Sequence, residues 1–213
     1  MMVNMSDVKQ VRDRSGAPMN ACKVALDEAG GSVDGALEVL QKKGILKAAA
    51  LASKEATDGV VTAYLHGGRI GVLLEVNCTT DFVARSEDFR AFVDEVAMQV
   101  AAMSPRWVSS EDIPKDVVDK QAEIFTEQLR GEGKPEKAWA KIVGGKLTKW
   151  YSETCLLDQE SVVHPKQTVE HLRAALVAKI GENVKVRRFV RWEVGEGIER
   201  AAKEDYASEV AGG

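Results

Sequence analysis

Apolar positions recur at helical spacing through the first fifty residues, and the period changes to two at Gly59. Val8 and Val11 predict the inner face of a first short helix capped by Ser6, broken by Arg14-Ser15-Gly16-Ala17-Pro18, with Pro18 suited to the first turn of the next. Met19, Cys22, Leu26 and Ala29 predict a second helix that ends at Gly30-Gly31. Ser32 then caps a third, carrying Val33, Ala36, Leu37 and Leu40, with Gly44 as its expected terminating glycine after Lys42-Lys43. Three such helices make a small bundle. The alanine-rich stretch 47–56 lacks a stripe of large apolar residues and predicts a helical spacer.

Beyond Gly59 the alternation predicts a β-hairpin, Val60–Leu65 and Ile70–Asn77, joined by His66-Gly67-Gly68-Arg69, whose glycines suit a tight I′ or II′ turn. A helix follows from about Ser86 to Met103, with Phe89, Phe92, Val96, Val100 and Met103 on one face and Pro105 as its stop. Residues 116–130 carry Val118, Ala122, Phe125 and Leu129 in one stripe, and 136–152 carry Trp139, Ile142, Val143, Leu147 and Trp150 in another. Gly131-Glu132-Gly133-Lys134-Pro135 between them predicts a helical hairpin. Gly144-Gly145 lowers helix propensity by about 1 kcal/mol per glycine and predicts an irregularity there. After an irregular stretch to Pro165, Thr168 caps a helix with Val169, Leu172, Leu176 and Ile180, ended by Gly181, and Val184–Val194 is the last strand. The order of elements predicts an α+β fold: residues 1–56 as a three-helix bundle with its linker, 57–194 as a core with a helical hairpin at about 114–152, and 195–213 as an acidic tail.

A chain of 213 residues and 23.2 kDa holds one large domain or two small ones. Apolar residues at 45% and charged residues at 29% exclude disorder along the whole chain. A net charge of −4 gives no global positive field for a nucleic-acid backbone, so no direct nucleic-acid partner is expected. Cys22, Cys78 and Cys155 are odd in number and far apart, which argues against a disulfide framework or a zinc knuckle. The opening residues lack a basic segment followed by an apolar one, and no apolar run reaches the ~18 residues of a membrane span. A cytoplasmic protein without a membrane partner is expected, with the residues before Met5 as a lead.

The chemistry-bearing motifs fail one by one. Gly144-Gly145-Lys146-Leu147 has Ala140 where a phosphate loop needs glycine and Leu147 where the magnesium hydroxyl belongs. Gly195-Glu196-Gly197 has Arg200 at its third glycine position. His66, His164 and His171 offer no ligand spacing. The expectation is therefore no catalytic residue, no metal and no cofactor. Lys185, Arg187, Arg188 and Arg191 interleave with Phe189 and Trp192, which suits either an RNA-tracking strand or an amphipathic strand whose basic stems cover apolar surface. Periodicity leaves Phe82 open as an extension of the buried face that begins at Phe89, Asp81 as an ordinary first-turn acid, and Met19 as core or surface.

Four segments, in order, resemble the bacterial elongation factor Ts family. Residues 14–26, Arg14-Ser15-Gly16-Ala17-Pro18-Met19 onward, are similar to its N-terminal signature in a bundle of the ubiquitin-associated type. Gly71 to Arg85, containing Asn77-Cys78-Thr79-Thr80-Asp81-Phe82-Val83, looks like the signature around its T-D-F-V element, and Lys179–Arg188 and Gly195–Ile198 add two further matches. The resemblance covers nearly the whole chain and implies a guanine-nucleotide exchange factor that promotes GDP release from elongation factor Tu by binding its nucleotide-free state. It implies that Asp81 and Phe82 are the working end of the exchange surface. Arg12, Met19, Asn20 and Lys23 would then be contacts of a docking bundle, and His66 and Arg69 contacts at the hairpin tip. Longer members carry two related core subdomains; here there is one hairpin copy, so a short form is implied, with the second half-core supplied by a second subunit in a homodimer joined through the core. A ubiquitin-associated-like peptide adaptor and an RNA-binding protein are the competing readings.

Overall fold

The computed structural model describes residues 4–15 and 19–198, and the expected first-turn role of Pro18 and the acidic tail from residue 199 lie outside these. Along the chain come α1 (Met5–Ser15), α2 (Met19–Glu28), α3 (Val33–Leu51), β1 (Asp58–His66), β2 (Ile70–Cys78), α4 (Asp81–Ala84) and α5 (Glu87–Met103). A 3₁₀ turn at Ser110–Asp112 leads to α6 (Lys115–Gly131) and α7 (Glu136–Thr154), a second at Leu156–Asp158 leads to α8 (Val169–Ile180), and β3 (Val184–Glu193) closes the fold. The class is α+β, as the pattern predicts.

The bundle of α1 to α3 closes on Val8, Val11, Cys22, Ala25, Leu26 and Ala36. Asn4, not Ser6, opens α1: its side-chain oxygen accepts from the Ser6 N–H at 3.1 Å, the bond an N-cap makes to the second helical residue. Ser6 lies inside the helix. Ser32 does cap α3, accepting from the Gly35 N–H at 3.2 Å. Gly44 does not end α3, which continues to Leu51. The reason is tertiary, because a Cβ at Gly44 would stand 3.6 Å from the Ala174 carbonyl oxygen and 3.7 Å from the Ala178 Cβ. Gly44 is the point where α3 lies close against α8, and α8 gives the helix a surface on which to continue.

The strands form one antiparallel sheet in the order β1-β2-β3. Gly67 and Gly68 both have positive φ, 55° and 66°, as a I′ turn requires. Val72, Leu74, Val76 and Cys78 of β2 and Val184 and Val186 of β3 face the core. They meet Phe89, Phe92, Val93, Val96 and Val100 of α5 and Val169, Leu176 and Val177 of α8. Full burial of each large side chain contributes about 1.5–3 kcal/mol. The expected stripe of α5 stops at Val100 and Ala101: Met103 is exposed, and the helix ends at Ser104 in the left-handed region, before Pro105. The opposite face of the sheet exposes Val61 (70%), Leu65 (76%), Leu73, Val190 and Trp192. Beside this apolar strip a β-bulge between Glu75 and Val76 lets two successive arginines, Arg187 and Arg188, reach the Glu75 carboxylate at 2.7 and 2.6 Å.

The helical hairpin of α6 and α7 buries a narrow seam. Leu129 is fully buried, whereas Phe125, Ile142, Val143, Leu147 and Trp150 are half-buried, because two helices cover each other along one side alone. No irregularity occurs at Gly144-Gly145, and α7 runs unbroken. Glycine weakens a helix without removing a hydrogen bond, and the seam supplies the missing stability. Trp107 packs edge-on against Trp150 at 5.7 Å at the root of the hairpin. The three cysteines are buried thiols, and burial pushes Cys78 and Cys155 each up to about 11, which keeps them protonated and unreactive. No described helix is long and apolar enough to cross a membrane.

Candidate functional site

Between the end of β2 and the start of α5 the chain makes the single-turn helix α4, and side chains from four directions fix it. Thr80 precedes it in extended conformation, with its N–H donating to Glu182 Oε2 at 3.1 Å and its hydroxyl to Oε1 at 2.9 Å. The Cys78 thiol donates to the Thr80 carbonyl at 3.2 Å. On the far side, Ser86 Oγ donates to the Val83 carbonyl and Arg90 Nε to the Ala84 carbonyl, each at 2.8 Å. Ser86 also caps α5 by accepting from the Phe89 N–H. Ala84 is buried in the core and anchors the turn.

This fixed turn presents Phe82 with 83% of its surface exposed, the greatest exposure of any large apolar side chain among the described residues. Of the two readings left open by periodicity, burial is thus excluded in the isolated chain. Asp81 is half-exposed and forms an i,i+4 ion pair with Arg85, Oδ2 to Nη2 at 2.8 Å. At that exposure the pair contributes no more than a few tenths of a kcal/mol, so a partner can displace it at little cost.

The remaining sequence-derived candidates fall in two other places. His66 and Arg69 occupy the exposed tip of the hairpin, where Tyr64 Oη lies 3.1 Å from His66 Nδ1 and the Arg69 carbonyl accepts from the Val194 N–H. The tip and α4 lie at opposite ends of β2, separated by eight residue rises of about 3.3 Å, or about 26 Å. In the bundle, Arg12 and Lys23 are exposed and Met19 is 37% exposed rather than core, while the Asn20 side chain lies outside what is described. The candidates therefore form three groups and no single site. The bundle and the turn are nevertheless joined: Asn183, next to Glu182, donates to the carbonyls of Lys54 at 2.8 Å and Ala52 at 3.4 Å, just past the end of α3.

Arg85 in the turn and Glu182 facing it are not singled out by the sequence. Arg85 has a local signal, four residues after Asp81. Glu182 falls within the Lys179–Arg188 match, but nothing in the sequence pairs it with Thr80, which it meets across 102 residues. The basic strand resolves as amphipathic. Arg187 and Arg188 hold Glu75, and Arg191 holds Glu193 and the Ala101 carbonyl.

The turn leaves an aromatic ring in solvent beside a weakly held carboxylate. Comparison with known proteins gives the family. The family model described as Elongation factor TS matches residues 41–196. Elongation factor Ts of Moorella thermoacetica is 53% identical over 198 residues, covering 92% of this chain and 98% of its own. That of Carboxydothermus hydrogenoformans is 48% identical over 211 residues, covering 99% and 97%, and that of Thermosipho melanesiensis 50% identical over 196 residues, covering 92% and 100%. The chain belongs to the elongation factor Ts family, and its function is the promotion of guanine-nucleotide exchange on elongation factor Tu. The peptide-adaptor and RNA-binding readings find no support.

Proposed function

We propose that Asp81 and Phe82 are the working end of the exchange surface. Phe82 wedges between helices of the GTPase domain of elongation factor Tu and Asp81 accepts hydrogen bonds there, which disturbs the magnesium and phosphate sites and loosens GDP. The observation that carries this reading is an 83% exposed phenyl ring on a turn held by hydrogen bonds from both ends. Such a ring has two torsions and a fixed base, so inserting it loses little conformational entropy. The factor makes and breaks no covalent bond in this mechanism. It binds the nucleotide-free GTPase more tightly than the GDP-bound one, and nucleotide and factor weaken each other reciprocally. A 10³-fold coupling corresponds to about 4 kcal/mol.

Within residues 1–56, the bundle and its linker, residues 6–46 act in this reading as a docking module, with Arg12, Met19, Asn20 and Lys23 toward the GTPase, and residues 57–194 as the core. The exposed positions of Arg12, Met19 and Lys23 around a closed bundle core support that role. The exposed sheet face of Val61, Leu65, Leu73, Val190 and Trp192 supports a homodimer through the core, with His66 and Arg69 of the second subunit completing the contact surface. The factor works in the cytoplasm without direct nucleic-acid contact, in keeping with the carboxylate-bound arginines of β3. The test is release of a fluorescent GDP from elongation factor Tu. Adding the full chain should accelerate release by orders of magnitude, and an unchanged release rate at saturating chain would overturn the function.

A further inference from the structure

The turn that presents Phe82 takes its orientation from a side chain in the opposite half of the sequence. Glu182 stands between α8 and β3, and its carboxylate accepts the Thr80 N–H at 3.1 Å and the Thr80 hydroxyl at 2.9 and 3.1 Å. A threonine before a helix ordinarily turns its oxygen onto the first-turn N–H groups. Thr80 makes no such bond, so local capping is exchanged for a tie across 102 residues. From this geometry we infer that Glu182 is a positioning residue for nucleotide exchange, holding Thr80 so that Phe82 stands at one angle to the sheet. The inference rests on the reading of Phe82 as the wedge.

A helix of four residues has no stability of its own, because nucleation is unfavourable and it closes too few hydrogen bonds. Its orientation is whatever the flanking ties impose. Hydrogen bonds to a carboxylate are about twice as strong as neutral ones, which makes the Glu182 tie the strongest on the Thr80 side. Glu182 is flanked by fixed neighbours: α8 ends at Ile180 with Gly181 as its cap, Asn183 is buried and bonded to the Lys54 and Ala52 carbonyls, and β3 begins at Val184. Without the tie, the weak Cys78 contact is the one side-chain hydrogen bond left to Thr80 among the described residues, and Phe82 samples a wider cone. The ring must then be ordered during insertion, which slows GDP release without removing any group that touches the GTPase.

The experiment is a double-mutant cycle on the full chain, read as the maximal rate of fluorescent GDP release from elongation factor Tu at saturating factor, with circular dichroism confirming that each variant is folded at the assay temperature. Glu182→Ala should lower the maximal rate about fivefold to tenfold. In a Phe82→Ala background it should change the rate less than twofold, because no wedge remains to be positioned. Glu182→Gln, which keeps an acceptor for the Thr80 N–H, should restore most of the rate. If Glu182→Ala is unfolded at the assay temperature, Thr80→Val takes its place in the same cycle. A folded Glu182→Ala that exchanges at the parental rate, or losses that multiply in the double variant, would overturn the positioning role while leaving the wedge intact. Parental exchange by Phe82→Ala alone would instead remove the wedge reading itself.

Discussion

Phe82 and Phe89 stand two helical turns apart in sequence, yet Phe89 is fully buried and Phe82 is almost wholly in solvent. The separation comes from Arg85 and Ser86. Arg85 closes α4, and Ser86, extended at φ −67° and ψ 147°, caps a new helix, so the phase of α5 does not carry back to α4. Phe82→Ala should therefore change unfolding free energy by no more than about 0.5 kcal/mol, whereas Phe89→Ala should cost about 3–5 kcal/mol. Urea denaturation of the two variants measures both; a loss above 2 kcal/mol for Phe82→Ala would mean that the ring packs in solution.

Gly44 and Gly144 both lie inside helices but have opposite surroundings. The close approach of α8 at Gly44 leaves no room for a long side chain, so Gly44→Leu should force α3 away and destabilise by about 1–3 kcal/mol. A Cβ at Gly144 meets nothing within 4 Å, and Gly144→Ala should stabilise α7 by up to about 1 kcal/mol. Thermal unfolding midpoints moving in opposite directions would bear this out.

The Arg187 guanidinium, with Arg188 beside it, holds the Glu75 carboxyl below the usual carboxylate range. A depressed folded-state pKa contributes stability that is fully present above the unfolded-state value and is lost as pH falls through the folded one. Burial pushes Asp158 the other way, with Glu170 adding to it, so the total pH profile mixes the two. The difference between parent and Glu75→Gln isolates the first: it should be greatest near neutral pH and shrink on acidification through and below the carboxylate range. A difference independent of pH would show that the two arginines do not hold the charge.

The exposed sheet face predicts the assembly. Light scattering at micromolar concentration should give twice 23.2 kDa for the parent, and Leu65→Glu on that face should return the mass to the single-chain value. A parent that already runs as a single chain would contradict the homodimer.

The elements were largely legible because their signals are local: the alternation of 60–76, the Ser32 and Thr168 caps, and the glycine turn at 67–68. The α1 cap, Asn4 in place of Ser6, was missed by two residues, and at two glycine positions a distant partner decided. Gly44 looks like a helix stop until α8 is placed against it, and Gly144-Gly145 looks like a break until α6 supplies a seam. Asp81 and Phe82 were recognisable through motif resemblance, but periodicity left the ring's exposure undecided, since the reset at Ser86 is a backbone conformation and not a residue pattern. Glu182 was not legible as a neighbour of Thr80 at all, because nothing local marks a contact spanning 102 residues.

The most direct test of the wedge is the rate of fluorescent GDP release from elongation factor Tu driven by Phe82→Ala in the full chain, at a temperature where the variant is folded. The account predicts a rate at least tenfold below the parent, equivalent to about 1.4 kcal/mol. Release at the parental rate by the folded variant would contradict it.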